Sequence, residues 1–255
     1  MIYHNEIRNE NSNEWVIFLH GLCGNSAMWN SQVFAFKEKY NLCFIDLPSH
    51  GRSENAIVEC RINSLEDIAT AIIGILDGLN IKKAHFAGVS LGTLVIGKIY
   101  ELYPERVSSV VMCGAVATFG MIQDFVMNIF GLTSKVCSAR TLAQMWINYI
   151  LNKDERKNLK SLFIEQSKKI SRPDTKKWIQ MIIKEHKCLF NLDYSNLNIL
   201  FVMGDGDKLF LTPVRKIKEK FNNIKLEILP NSGHLCNAHK PDNFNEISLN
   251  FLANA

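Results

Sequence analysis

The stretch Ala84-His85-Phe86-Ala87-Gly88-Val89-Ser90-Leu91-Gly92-Thr93 decides how the rest of the chain is read. An apolar run ends in Gly-x-Ser-x-Gly, and a pattern of helical spacing starts directly after it. A serine on such a strand-to-helix turn is pushed out of the path of the chain, so its hydroxyl stands exposed at the sheet edge. Gly88 and Gly92 flank it because side chains there would collide as strand and helix close around the turn. The turn strains the serine's own backbone, a cost that folds carry where chemistry needs it. The helix beginning at Leu91 offers backbone N–H groups and a positive dipole end to an anion forming on Ser90. The pattern alone is thin, because chance produces it in roughly one such chain in twenty. Its surroundings must decide.

Working outward from Ser90, residues 14–19, 42–46, 107–113, 198–203 and 225–229 are apolar runs of strand length. Residues 1–8 alternate weakly and read as an edge strand, and helical patterns fill 27–40, 91–102, 212–221 and 242–252. Ser64 caps a further helix with Asp67 three residues on, a variant of the capping box. That helix has its apolar stripe at Leu65, Ile68, Ala69, Ile72, Ile73 and Leu76. Apolar strands alternating with helices predict an α/β, doubly wound, mostly parallel sheet of about seven strands, covered on both faces. The rhythm breaks between Thr118 and Leu189, where four helical patterns follow one another. One face is carried by Ile122, Phe125, Val126, Ile129 and Phe130, a second by Leu142, Met145, Trp146, Tyr149 and Ile150. A weaker third uses Leu159, Leu162, Phe163 and Gln166, and Pro173 opens the fourth. The expected division is a core of residues 1–117 and 190–255 with a helical cap inserted at 118–189.

With 255 residues, 47% of them apolar, the chain can bury a large core. The formal charge of +4 comes from dispersed lysines. Its densest basic stretch, 153–177, mixes in Asp and Glu, which reads as a solvated surface rather than a nucleic-acid footprint. Seven cysteines include no Cys-x-x-Cys pair and no metal-ligand spacing. The first residues lack the basic and apolar regions of a signal peptide, and no apolar run has transmembrane length. The expectation is a cytoplasmic protein with no cofactor, no metal, and no nucleic-acid or membrane partner.

A serine nucleophile needs a base within hydrogen-bond reach, and the base needs an acceptor that fixes its tautomer. Downstream of Ser90 stand His186, His234 and His239. His234, in Asn231-Ser232-Gly233-His234 beyond the last strand, lies on a loop that can reach the top of the sheet. His186 sits among Lys184, Glu185 and Lys187 and reads as a solvated helix residue, and His239, before Lys240-Pro241, as a surface one. The acid must follow another strand, and Gly204-Asp205-Gly206-Asp207 offers two candidates that physics alone does not separate. The loser would hydrogen-bond local turn backbone. An oxyanion hole needs a second amide besides that of Leu91, and His20-Gly21-Leu22 is placed to supply it from Leu22. Leu22 and Cys23, with Phe125, Ile129, Met145 and Trp146 of the inserted helices, are the expected lining of an apolar pocket.

Taken together these motifs resemble the α/β-hydrolase fold superfamily, in particular its small, cap-bearing esterase- and lactonase-like members. The resemblance spans nearly the whole chain: His20-Gly21, Asp46-Leu47-Pro48-Ser49-His50-Gly51-Arg52-Ser53, Gly88-Val89-Ser90-Leu91-Gly92, Gly204-Asp205-Gly206-Asp207 and Gly233-His234. It implies Asp207 rather than Asp205 as the acid, because the family's Gly-x-x-Asp pattern matches Gly204 and Asp207. It implies a Ser90–His234–Asp207 triad that cleaves an ester-type bond of a small acyl substrate through an acyl-enzyme, with no cofactor. Ser49 departs from the family, which has glycine there, and the chain has room for only one strand before Val16 where many members have two. The family also contains slow or single-turnover ligand sensors and partner-binding switches, the alternative reading. The oligomeric state is not specified.

Overall fold

The computed structural model describes residues 1–118, 120–150, 161 and 164–255. Its sheet consists of β1 (His4–Ile7), β2 (Trp15–Leu19), β3 (Asn41–Ile45), β4 (Ala84–Val89), β5 (Val107–Cys113), β6 (Asn198–Gly204) and β7 (Ile224–Leu229). The strand order is β1-β3-β2-β4-β5-β6-β7. β1 pairs antiparallel with β3 at the edge, and the other pairs are parallel. β2, β3 and β4 are buried at every position, as strands covered on both faces must be.

The covering helices are α1 (Asn30–Lys37), α2 (Leu65–Gly78), α3 (Leu91–Leu102), α7 (Leu211–Lys220) and α8 (Pro241–Leu252). Between β5 and β6 run α4 (Met121–Val136), α5 (Ala139–Ile150) and α6 (Arg172–Glu185). Because successive strand residues point to opposite faces, β2 feeds two cores. Ile17 and Leu19 pack with Ile68 and Ile72 of α2 and Leu94 and Ile99 of α3. Val16 and Phe18 pack with Phe36 of α1 and Phe244 and Phe251 of α8. The capping box of α2 is complete: the Asp67 amide donates to Ser64 Oγ at 3.2 Å and the Ser64 amide to Asp67 Oδ2 at 3.0 Å.

One helix differs from expectation. The pattern at 27–40 is split into a 3₁₀ turn, Ser26–Trp29, and α1. The Ala27 amide goes to Asn25 Oδ1 at 3.0 Å and the Ser26 amide to Asp46 Oδ1 at 2.7 Å, so the first turn is tied to its loop and to the end of β3. The third inserted pattern lies largely outside the described residues, Leu159, Leu162 and Phe163 among them.

The inserted helices are tied to the rest of the fold by polar contacts as well as packing. Lys98 of α3 is buried and meets Glu101 at 2.8 Å, Glu185 of α6 at 3.2 Å and Glu66 of α2 at 3.5 Å. Burial alone would lower its pKa, but Glu101 and Glu185 raise it above the ordinary lysine value. His186 is not the solvated residue its charged neighbours suggested. It is buried at the end of α6 against Thr118, and burial lowers its pKa. Together Thr118 and His186 bring the two ends of the inserted segment into contact. Among the described residues no helix is long and apolar enough to cross a membrane.

Candidate active site

Ser90 connects β4 to α3 with φ 53° and ψ −114°, a conformation that costs about 1–3 kcal/mol for a residue with a side chain. The turn is held from several sides. The Ser90 amide donates to the Cys113 carbonyl at the end of β5 at 3.1 Å, and Thr93 Oγ1 donates to the Ser90 carbonyl at 2.6 Å. Gly92 lies so close to the end of β2 that a Cβ there would stand 2.3 Å from the Leu19 carbonyl oxygen. Any larger residue would push α3 off the sheet and carry Ser90 with it.

The loops after β6 and β7 bring the other groups to this turn. His234 Nε2 lies 2.8 Å from Ser90 Oγ, and its Nδ1 lies 2.7 Å from Asp207 Oδ2. All three side chains are buried, Ser90 retaining 8% exposure. With the Nδ1 proton held by Asp207, the Nε2 lone pair is left to accept the Ser90 proton. Asp205 is elsewhere: it receives the Asn231 amide at 3.1 Å and the Ser232 amide at 3.3 Å. The expectation that it bonds its own turn is therefore corrected. It fastens the β7 loop that carries His234. His239 is half-buried, with Nδ1 3.4 Å from Ser232 Oγ.

Sequence reasoning missed two supports. Thr93 Oγ1 also receives the Val116 amide at 3.1 Å, joining the Ser90 turn to the segment after β5. Gly114, at φ 51°, lets the chain pass so close to His234 that a Cβ would meet its carbonyl oxygen at 2.2 Å. A lone glycine after a strand was the one signal available for it.

The loop after β2 lies against Ser90, as shown by the 3.2 Å between a Cβ built on Gly21 and Ser90 Cβ. Two buried histidines shape this loop. His20 Nδ1 donates to the Gly21 carbonyl at 2.8 Å and its Nε2 accepts the Leu47 amide at 2.9 Å. His50 Nδ1 donates to the Pro48 carbonyl at 2.9 Å and its Nε2 accepts the Cys23 amide at 3.1 Å. Burial lowers the pKa of His20, and burial with the neighbouring His20 pushes that of His50 down to about 3. Ser49 has φ 64° and its buried hydroxyl has no partner among the described residues, so this departure from glycine loads the loop without adding a bond there.

Beside Ser90 is a cavity of about 20 Å³, room for about one water molecule, lined by Leu22, Leu91, Leu94, Val116, Met127, Phe130 and Ile182. Leu22 lines this cavity, whereas Cys23, Phe125, Ile129 and Met145, also expected there, do not. Phe125, Ile129 and Met145 are 66%, 43% and 46% exposed and do not reach the cavity. α4 carries two apolar stripes, and the one through Met127 and Phe130 faces inward while Met121, Phe125, Ile129, Leu132 and Val136 face outward. Cys23 turns away, its amide spent on His50 and its thiol buried, with a pKa raised to about 12. The Trp146 side chain lies outside the described residues. Among the described residues no group of three or more His, Cys, Asp or Glu side chains could hold a metal ion.

Comparison with known proteins bears on this geometry. The sequence model of the alpha/beta hydrolase fold matches residues 14–241. The uncharacterized carboxylesterase nap of Bacillus subtilis is 23% identical over 249 residues, 93% of this chain and 78% of that protein. A pimeloyl-[acyl-carrier protein] methyl ester esterase of Wigglesworthia glossinidia brevipalpis is 25% identical over 232 residues, 86% of each chain. Among solved structures, a hydrolase from Pseudomonas aeruginosa superposes with a TM-score of 0.84 at 17% identity, over 98% of this chain and 94% of that one.

Proposed function

Because the chain belongs to the α/β hydrolase fold family, we propose that it is a serine hydrolase that cleaves an ester-type bond of a small, largely apolar acyl substrate. The observation that carries this reading is the hydrogen-bonded series Asp207–His234–Ser90 at 2.7 and 2.8 Å, ending on a strained turn at the N-terminus of α3. Ser90 Oγ attacks the acyl carbonyl carbon as its proton passes to His234 Nε2, and Asp207 stabilises the imidazolium. The same proton then protonates the departing alkoxide, leaving an acyl ester on Ser90. Water, deprotonated by His234, attacks that ester; the acid leaves and Ser90 regains its proton.

The developing oxyanion is held by the Leu91 and Leu22 amides. Leu91 opens α3, where N–H groups have no intrahelical partner. In the β2 loop the Cys23 amide is already taken by His50, and Leu22 is the loop residue that shares the cavity with Ser90. The inserted helices form a cap: Met127, Phe130 and Ile182 close the cavity from above. Its apolar lining favours an uncharged acyl group, and its small volume favours a short one. The names of the two curated relatives, a carboxylesterase and a methyl ester esterase, support the ester class.

Steady-state hydrolysis of p-nitrophenyl esters from acetate to octanoate tests the reading. The expected result is many turnovers per active site with the highest kcat/KM at the short end. A single burst equal to the protein concentration, followed by a persistent adduct, would contradict it and describe a ligand sensor instead.

A further inference from the structure

His50 is fully buried, and none of its contacts is with Ser90, His234 or Asp207. Both of its ring nitrogens are nonetheless committed. The Pro48 carbonyl takes the Nδ1 proton, which leaves Nε2 as an acceptor, and that acceptor holds the Cys23 amide. Cys23 needs holding: at φ 60° it sits in the left-handed region, where a side chain costs roughly 1–2 kcal/mol. The Cys23 amide belongs to the peptide that follows Leu22. On the other side Gly21 is fixed against Ser90, its carbonyl receiving both the Gly24 amide at 3.0 Å and His20 Nδ1 at 2.8 Å. The Leu22 amide therefore lies between two fixed points, and His50 supplies one of them.

The ring of His50 is itself seated from the inserted segment. Trp178 of α6, also fully buried, donates its Nε1 proton to the same Pro48 carbonyl at 2.9 Å. Its ring meets His50 edge-on, with centroids 5.4 Å apart and planes at 75°. On the other side the His20 ring lies 5.1 Å away.

We propose that His50 is a positioning residue for the oxyanion loop, aiming the Leu22 amide through the Cys23 peptide, and that Trp178 of α6 seats it. The role rests on the serine-hydrolase reading above. It makes the docking of the inserted helices a condition for a well-formed oxyanion hole. Burial keeps His50 neutral well below neutral pH, so its Nε2 remains an acceptor there.

The test compares two polar replacements of similar chemistry. In His50→Gln the side-chain amide reaches the position of Nε2 and can still accept the Cys23 proton. In His50→Asn it reaches only the position of Nδ1, keeping the Pro48 bond and losing the Cys23 one. Removing an oxyanion donor outright costs about 10²–10³ in kcat, so misplacing one predicts a loss of about 10–10² in His50→Asn with KM changed by no more than about twofold. His50→Gln should stay within about fivefold of the parent. Affinity for a trifluoromethyl ketone, whose hemiketal on Ser90 presents the oxyanion, should fall in parallel with kcat/KM in His50→Asn and recover in His50→Gln. Trp178→Phe, which keeps an aromatic ring but loses the N–H, should lower kcat in the same direction by a smaller factor.

Equal activity of His50→Asn and His50→Gln, or loss of kcat without loss of trifluoromethyl ketone affinity, would overturn the proposal. A parent protein that turns over no ester would instead strike the hydrolase reading itself.

Discussion

Asp205 and Asp207 stand two residues apart after the same strand, yet the structure gives them different partners. Asp207 meets His234, while Asp205 receives the Asn231 and Ser232 amides of the neighbouring loop. Asp207→Asn keeps the volume but offers His234 the wrong tautomer, and should lower kcat by about 10³–10⁴ with little change in stability. Asp205→Asn weakens charge-assisted bonds to two amides and should cost about 1 kcal/mol, leaving kcat within a small factor. Steady-state kinetics and urea unfolding of the two variants separate these effects, and the reverse pattern would move the acid to Asp205. The sequence alone could not divide the pair, because the deciding partners lie on a loop more than twenty residues away. Only the resemblance to a family pattern favoured Asp207. His50 illustrates the same limit: nothing in its spacing shows that its acceptor serves Cys23, 27 residues earlier.

At the scale of elements, helices with one apolar face were legible and the helix with two was not. Leu65, Ile68, Ile72 and Leu76 give α2 a single buried face, and its capping box marks where it starts. The apolar residues of α4 cover more than one face, so periodicity identifies the helix without choosing which of them turns inward. The inward stripe makes Met127 a wall of the cavity beside Ser90 and leaves Phe125 in solvent. Met127→Ala should therefore shift the preferred acyl chain toward longer substrates and cost about 2–3 kcal/mol of stability through the cavity it leaves. Phe125→Ser should change kcat/KM little and stability by no more than about 0.5 kcal/mol. Acyl-chain profiles and thermal melts of both variants check the orientation of α4. A pocket shift in Phe125→Ser rather than in Met127→Ala would reverse it.

At the scale of the whole molecule, the alternation of apolar strands with helices was enough to predict the doubly wound sheet, its parallel core and its edge strand. What pattern could not supply was depth. The buried histidines are an example, since a histidine between polar neighbours and one in the core look alike in sequence. His50 has a folded pKa of about 3, below the unfolded value near 6.5, so the unfolded chain binds one more proton between those limits. Its contribution to stability is complete above about pH 6.5 and is lost as the pH falls, by about 1.4 kcal/mol per unit. His20 acts in the same direction. Unfolding free energy measured at pH 6, 5 and 4 should therefore fall more steeply in the parent than in His50→Gln. Parallel slopes would mean that His50 is charged in the folded state. Whether Ser90 is the nucleophile of a hydrolase is decided by kcat for a short p-nitrophenyl ester in Ser90→Ala. The expected result is a fall of about 10⁴–10⁶ in a variant that melts like the parent. Near-normal turnover in that variant would contradict that role.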